Sequence, residues 1–260
     1  MVTITLDHIR QLIQREAGVH YNEPHPQGEA PFVVVRRQSP VLLSAPHGAR
    51  TYRNNADERW HEEDDYTAGM VLLLSELCGT AALATMWRID DYDPNYYEAC
   101  PYKEELGRLI QEAGIRYVID LHGAALNSTT LDPNQTIDLG FRSEQDGERS
   151  MDEQHVRELE HCLQVTDNDC DPACFVIGRN RFAAKGRGTI TTFAHHQFVP
   201  GTQERVQAIQ IEMKPQVRIP HRFPTATLYK SCGHYDADPH CVVHTLQALA
   251  NFVGYLKATV

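Results

Sequence analysis

The chain has 260 residues, of which 42% are hydrophobic and 23% charged, and its formal net charge is −11 at pH 7. That length fits one large α/β domain over residues 1–260 with a substantial core. The acidic balance argues against nucleic acid or an anionic membrane surface as the main partner. No apolar run approaches the ~18 residues of a membrane span.

The N-terminus carries no basic region followed by an apolar stretch, and the seven cysteines are scattered without a Cys-x-x-Cys pair. Both features lead to the expectation of a cytoplasmic protein with reduced thiols.

In chain order, Ile9, Leu12 and Ile13 recur at helical spacing over residues 6–16, with Asp7 placed at the start. Residues 19–31, with Pro24, Pro26, Gly28 and Pro31, read as a loop. Residues 32–36 and 41–45 are two apolar strands whose short connection, Arg37-Gln38-Ser39-Pro40, suggests a hairpin. Residues 65–77 predict a helix with Met70, Leu73, Leu74 and Leu77 inward and Gly79 as its stop. A strand over 81–87, a helix over 102–113 and a strand over 116–121 follow. Residues 136–139 read as a short strand, and about 151–163 as a polar helix. Strands are then expected over 175–178, 189–193 and 207–213, and a closing helix over 240–256. This alternation predicts an α/β sandwich, a mostly parallel sheet with helices on both faces.

Two of these strands end alike. Val41-Leu42-Leu43-Ser44-Ala45-Pro46 runs into His47-Gly48, and Tyr117-Val118-Ile119-Asp120-Leu121 runs into His122-Gly123. The C-terminal edge of such a sheet is where ligands bind. Pro46 fixes φ, and the small neighbours let the chain turn and aim the imidazole off the strand end. One such histidine is ordinarily a strand cap; two shift the balance towards metal ligation. Between them lies Glu62-Glu63-Asp64-Asp65. Such a run often does no more than sit favourably at a helix N-terminus, but one of its carboxylates would complete a set of two histidines and an acid. That set holds Zn2+ with a fourth position open to water. Mn2+ or Fe2+ fits the same donors, and either Glu63 or Asp64 fits as the acidic ligand. His195, His196, His221, His234, His240 and His244 do not follow strands in this way. Cys170 and Cys174, beside Asp167, Asp169 and Asp171, read as an acidic turn rather than a second metal site.

From about residue 40 to 220 the chain resembles the N-formylglutamate amidohydrolases, relatives of the zinc carboxypeptidases. Ser44-Ala45-Pro46-His47-Gly48 is similar to the family's Ser-x-Pro-His-x-Gly segment, and Glu63-Asp64-Asp65-Tyr66 to its acidic segment, whose metal-ligating Asp maps to Asp64. Arg88-Ile89-Asp90-Asp91, followed by Asn95, resembles Arg-x-x-Asp-x-Asn, and Asp120-Leu121-His122-Gly123 resembles Asp-x-His-Ser/Gly. Ile137-Asp138-Leu139-Gly140, Phe182 to Thr189, and Ile209-Gln210-Ile211-Glu212-Met213 match further segments in the family's order.

The resemblance implies a three-layer αβα sandwich with a mixed, mostly parallel twisted sheet of about eight strands. It also implies hydrolysis of an amide or formamide, with Glu212 as general base. Arg88, at a strand end, would stabilise the oxyanion or grip a substrate carboxylate, or simply pair with Asp90, Asp91 or Asp93. Asn95 is expected to contact substrate, and Lys185 and Arg187, in a Gly-containing loop, either add positive charge for an acidic substrate or form an exposed basic loop.

Two departures concern the substrate end. Tyr96 stands where the family often has Arg after Asn, and Glu212-Met213-Lys214-Pro215 replaces Glu-Ile-Asn. A carboxypeptidase-like or peptide-modifying hydrolase with a larger substrate, and an inactive metal-binding relative, are the competing readings.

Overall fold

The structure, a computed structural model, describes residues 2–53, 59–142, 148–165, 174–227 and 236–260. It begins with α1 (Leu6–Glu16), β1 (His20–Pro24), β2 (Phe32–Val35), β3 (Val41–Ala45), β4 (Thr51–Arg53), β5 (Arg59–His61) and α2 (Thr67–Cys78). Next come β6 (Ala81–Thr85), β7 (Trp87–Arg88), α3 (Pro101–Ala113), β8 (Tyr117–Gly123) and β9 (Ile137–Gly140). The chain closes with α4 (Glu153–Gln164), β10 (Ile177–Arg179), α5 (Ile190–His195), β11 (Gln207–Met213) and α6 (Pro239–Ala258).

Seven strands form one sheet in the order β10-β9-β11-β8-β3-β6-β2. The four central strands, β11, β8, β3 and β6, run parallel; the β2–β6 and β11–β9 pairs are antiparallel. β1 and β7 form a separate parallel pair, and β4 and β5 an antiparallel one.

Alternate residues of each central strand feed opposite cores, as the period of two requires. Val41, Leu43, Ile119, Leu121, Ile209 and Ile211 pack in the cluster that contains α1, α2, α4 and α6. Leu42, Leu83, Val118 and Ala208 pack with Tyr102, Leu106 and Leu109 of α3 and Ile190 of α5. Helices therefore cover both faces, the three-layer arrangement expected from the sequence.

Three local expectations differ. Residues 32–36 and 41–45 do not form a hairpin: β2 pairs with β6, and β3 lies between β6 and β8. All five residues of β3 are buried, which marks a strand covered on both faces rather than one arm of an edge hairpin. Residues 189–193 form the start of α5, not a strand. Thr189 caps that helix by accepting from the Thr192 amide, while Ile190 and Ala194, one turn apart, both enter the second core. Within the stretch read as a loop, His20–Pro24 is a strand against β7.

α2 carries the chain from β3 to its neighbour β6 across one face. α3 then carries it from β6 over β3 to β8 across the other face. The connections thus diverge at β3 and β8, and the crevice outside their C-terminal ends is the topological switch point of the sheet. His47 and His122 stand there.

Candidate metal centre

Asp120 and His122 share one face of β8, and Gln210 and Glu212 share the matching face of β11. The parallel register sets Gln210 opposite Asp120 and Glu212 opposite His122. Asp138 of β9, paired with Glu212 in antiparallel register, extends the polar row.

His47 follows β3 directly, and its carbonyl accepts from the Asp64 amide at 2.7 Å, which ties the acidic segment to the strand end. Tyr66 has φ 73, a left-handed turn costly for a bulky residue. It lets the chain present Asp64 to the crevice and then enter α2. The Tyr66 and Gly69 amides both donate to the buried carboxylate of Glu16, from α1, at 2.5 and 3.0 Å.

The Nδ1 atoms of His47 and His122 lie 3.4 and 3.2 Å from one oxygen, Asp64 Oδ2. Each ring turns its other nitrogen to a second carboxylate: His47 Nε2 to Asp93 Oδ1 at 2.8 Å, and His122 Nε2 to Asp120 Oδ2 at 2.9 Å. A carboxylate only accepts, so both Nε2 atoms carry hydrogen and donate. The surrounding acids raise both imidazoles, so without an ion the positive charge facing Asp64 is a second ring proton; with the rings neutral, each Nδ1 instead offers a lone pair to a cation. His47 Nδ1 is buried without a hydrogen-bond partner. Three buried donors with their lone pairs converging, and both rings fixed from behind by carboxylates, fit a divalent cation.

Glu62 is exposed, and the other two acids of the cluster are occupied elsewhere. Glu63 accepts from the Thr227 hydroxyl at 2.5 Å and from its amide. Asp65 pairs with Arg218 Nη1 at 2.8 Å and lies 3.4 Å from Arg222 Nε. Gly123, the residue after His122, leaves room for Arg218: a Cβ there would lie 2.7 Å from its Cζ and 3.0 Å from Asp64 Cβ.

Burial would depress the His47 imidazole, but Asp93 and Asp64 outweigh it and lift its pKa to about 8. Burial likewise opposes ionisation of Asp64, yet His122 and His47 hold it well below the ordinary carboxylate range. Glu212 is pushed up to about 7 by burial, with His122 and His47 pulling the other way. It accepts from Gln210 Nε2 at 2.7 Å. His61 of β5 stacks on His47, with ring centroids 3.9 Å apart, and is held near 3 by burial and by His47.

The centre opens into a cavity of about 500 Å³ whose walls include Arg53, His61, Asn95, Ser128, Lys185 and Glu212. One wall is the 182–189 loop. The Phe182 amide donates to Asp138 Oδ2 at 2.8 Å, and Asn95 Oδ1 accepts from the Ile190 amide at 2.8 Å. Lys103, buried on α3, donates to the carbonyls of Tyr97 and Gly188.

The structure thus gathers His47, Asp64, His122, Glu212, Asn95 and Lys185 around one cavity. Arg187 is exposed on the same loop and does not line it. Arg88 also stands outside: Nε and Nη2 donate to Asp90 at 2.6 and 3.1 Å, Nη1 donates to the Asn22 carbonyl at 2.7 Å, and the guanidinium lies over Trp60. Its short-range pairing with Asp90, two residues away, holds it from the crevice.

Of the other histidines, His195 bonds the Val206 carbonyl and His244 the Leu163 carbonyl. Cys170, Asp167, Asp169, Asp171 and His234 lie outside the described residues. Three contributors had not been singled out: Asp93, Arg53 and His61. Asp93-Pro94-Asn95 carries the Asp-x-Asn spacing of the family's segment, and its Asp93 is the acid that orients His47.

No family model and no curated protein matches the chain. Among solved structures, a gene product of Agrobacterium tumefaciens aligns at 13% identity over 89% of this chain and 96% of its own, with a TM-score of 0.53. The likeness is one of fold. A bacteriophage poly-gamma-glutamate hydrolase aligns at 11% identity over 91% and 94%, with a TM-score of 0.46. A zinc-free form of YndL aligns at 16% over 87% and 92%, with a TM-score of 0.41. No helix among the described residues is long and apolar enough to cross a membrane.

Proposed function

We propose that the chain is a metal-dependent amidohydrolase, similar to the N-formylglutamate amidohydrolases, that cleaves the amide or formamide of a small N-acyl amino acid. The observation that carries this reading is the convergence of His47 Nδ1 and His122 Nδ1 on Asp64 Oδ2, with Glu212 beside them in one cavity. His47, Asp64 and His122 would hold the ion, Zn2+ by preference of the donor set. When bound, such an ion supplies Lewis acidity, acidifying water and polarising a carbonyl.

The chain's own residues do the rest. Asp93 and Asp120 hold both rings in the tautomer that turns Nδ1 inward. Glu212, raised towards neutrality by burial, takes a proton from the attacking water and returns it to the departing amine nitrogen. Gln210 keeps that carboxyl aimed by donating to Oε1. The wall formed by Asn95 and the 182–189 loop limits the acyl substituent the cavity accepts.

A second reading, a peptide-modifying hydrolase, is favoured by the cavity volume of about 500 Å³, roomier than a formylated amino acid requires. The experiment is metal analysis of the purified protein, followed by hydrolysis assays on N-formyl- and N-acetylglutamate beside short peptides with free and blocked C-termini. One equivalent of divalent metal with turnover of the N-acyl amino acids supports the proposal. Absence of stoichiometric metal, or turnover of peptides alone, refutes it.

A further inference from the structure

The family resembled by this chain often has an arginine after the Asn that corresponds to Asn95, and here that residue is Tyr96. A guanidinium nevertheless reaches the same place from another element. Arg53, the last residue of β4, lies with its Cζ 5.3 Å from the centre of the Tyr96 ring. It lines the cavity beside His47, His61 and Asn95, and its side chain is 15% exposed. Its one side-chain hydrogen bond among the described residues runs from Nε to Asp93 Oδ2 at 2.6 Å.

That contact uses one donor of five. The bond to Asp93 and the face of Tyr96 fix the plane of the guanidinium before any ligand arrives. Both Nη groups remain to meet a planar anion, the two-pronged geometry an arginine offers a carboxylate. Asp64 and Glu212 line the cavity together with Arg53 and Lys185, so an anionic substrate group needs a cation of the wall to offset the carboxylates.

We infer that Arg53 is the receptor for a substrate carboxylate and selects N-acyl amino acids over neutral amides. This inference rests on the hydrolase reading for the bond that is cleaved, and on the cavity alone for what is bound.

The test compares N-acetyl-L-glutamate with its dimethyl ester, measured by calorimetry on the purified metal-containing protein and on its R53A and R53K variants. Metal content and thermal midpoint are recorded for each, because Arg53 also touches Asp93. Wild-type protein binds the free acid more tightly than the ester. R53A weakens the acid by about ten- to a hundredfold, leaves the ester within about threefold, and narrows the preference; R53K restores part of it, as a cation without the fork. Equal weakening of acid and ester with metal retained makes Arg53 a support of the centre, and the inference falls. It falls equally if wild-type protein does not distinguish acid from ester. Failure of the hydrolase reading is separate, seen as acid-selective binding without turnover. Should R53A lose its metal, R53K decides on the same acid-to-ester ratio.

Discussion

Glu16 is wholly buried at the end of α1, where it accepts from the Tyr21 hydroxyl and the Tyr66 amide at 2.5 Å and from the Gly69 amide at 3.0 Å. Burial raises its pKa from 4.5 to about 7, against the pull of those donors and with added repulsion from Asp65. Between these values the folded chain holds a proton that the unfolded chain has released. Stability from this group is therefore fully present below about pH 4.5 and declines as pH rises to about 7. The whole interval corresponds to about 3 kcal/mol, of which about 2 falls between pH 5 and pH 8.

Glu16→Gln removes the ionisation. An amide cannot accept at both positions, so the variant carries a fixed cost from the Gly69 or Tyr66 donors that does not vary with pH. The quantity to read is the change in the mutational effect between the two pH values. Urea denaturation of the wild-type and Glu16→Gln proteins at pH 5 and pH 8 should show the variant gaining about 2 kcal/mol relative to wild type at the higher pH. A mutational effect constant within about 0.5 kcal/mol would refute the assignment of a protonated acid at this position.

Glu212→Gln should lower turnover by about a hundredfold or more while metal content stays at the wild-type level, since the role proposed for the side chain is proton transfer and not ligation; assay beside metal analysis checks this. Asp120→Asn should weaken metal affinity by about ten- to a hundredfold in a chelator competition, because His122 Nε2 loses its charged acceptor. Gly123→Ala should destabilise the fold by about 3 kcal/mol in denaturant unfolding, because a Cβ within 2.7 Å of Arg218 forces that guanidinium off buried Asp65. Arg88→Ala should leave turnover within about threefold, because its guanidinium is spent on Asp90 and the Asn22 carbonyl outside the cavity.

The layered fold and the two histidines were legible in the sequence because buried parallel strands announce themselves as apolar runs, and a polar residue directly after such a run has one place to go. Asp120 was visible in its motif, and period two alone places it on the face of His122. The residues missed share a different property. Asp93 acts from a turn, and Arg53 and His61 from a separate two-stranded pair, whose period two sets their faces but not where that pair sits against the main sheet. Arg88 misled for a related reason: it ends a strand, but of the outlying β1–β7 pair, so its strand end is not the sheet's binding edge. The mistaken strand at 189–193 came from its β-branched run, Thr189-Ile190-Thr191-Thr192, in which Thr189 and Thr192 serve instead as cap and partner at a helix start.

Charge explains why the centre is built with more acids than a metal requires. Asp64, Asp93 and Asp120 are buried within a few ångströms of the two rings, and Arg53 supplies one positive charge against them. Two further positive charges balance these acids, and without an ion the second ring protons of His47 and His122 supply them, which is why the acids raise both imidazoles. One dication between Asp64 and the two Nδ1 atoms meets that need at a single point, and it does so without donating hydrogen, so the lone pairs fixed by Asp93 and Asp120 are used rather than opposed. Glu212 then need not be ionised to balance the site, which is consistent with a carboxyl held near neutrality by burial. On the function proposed above, the acids that would attract the ion would also repel an anionic substrate, and the Arg53 guanidinium on the cavity wall would offset that repulsion.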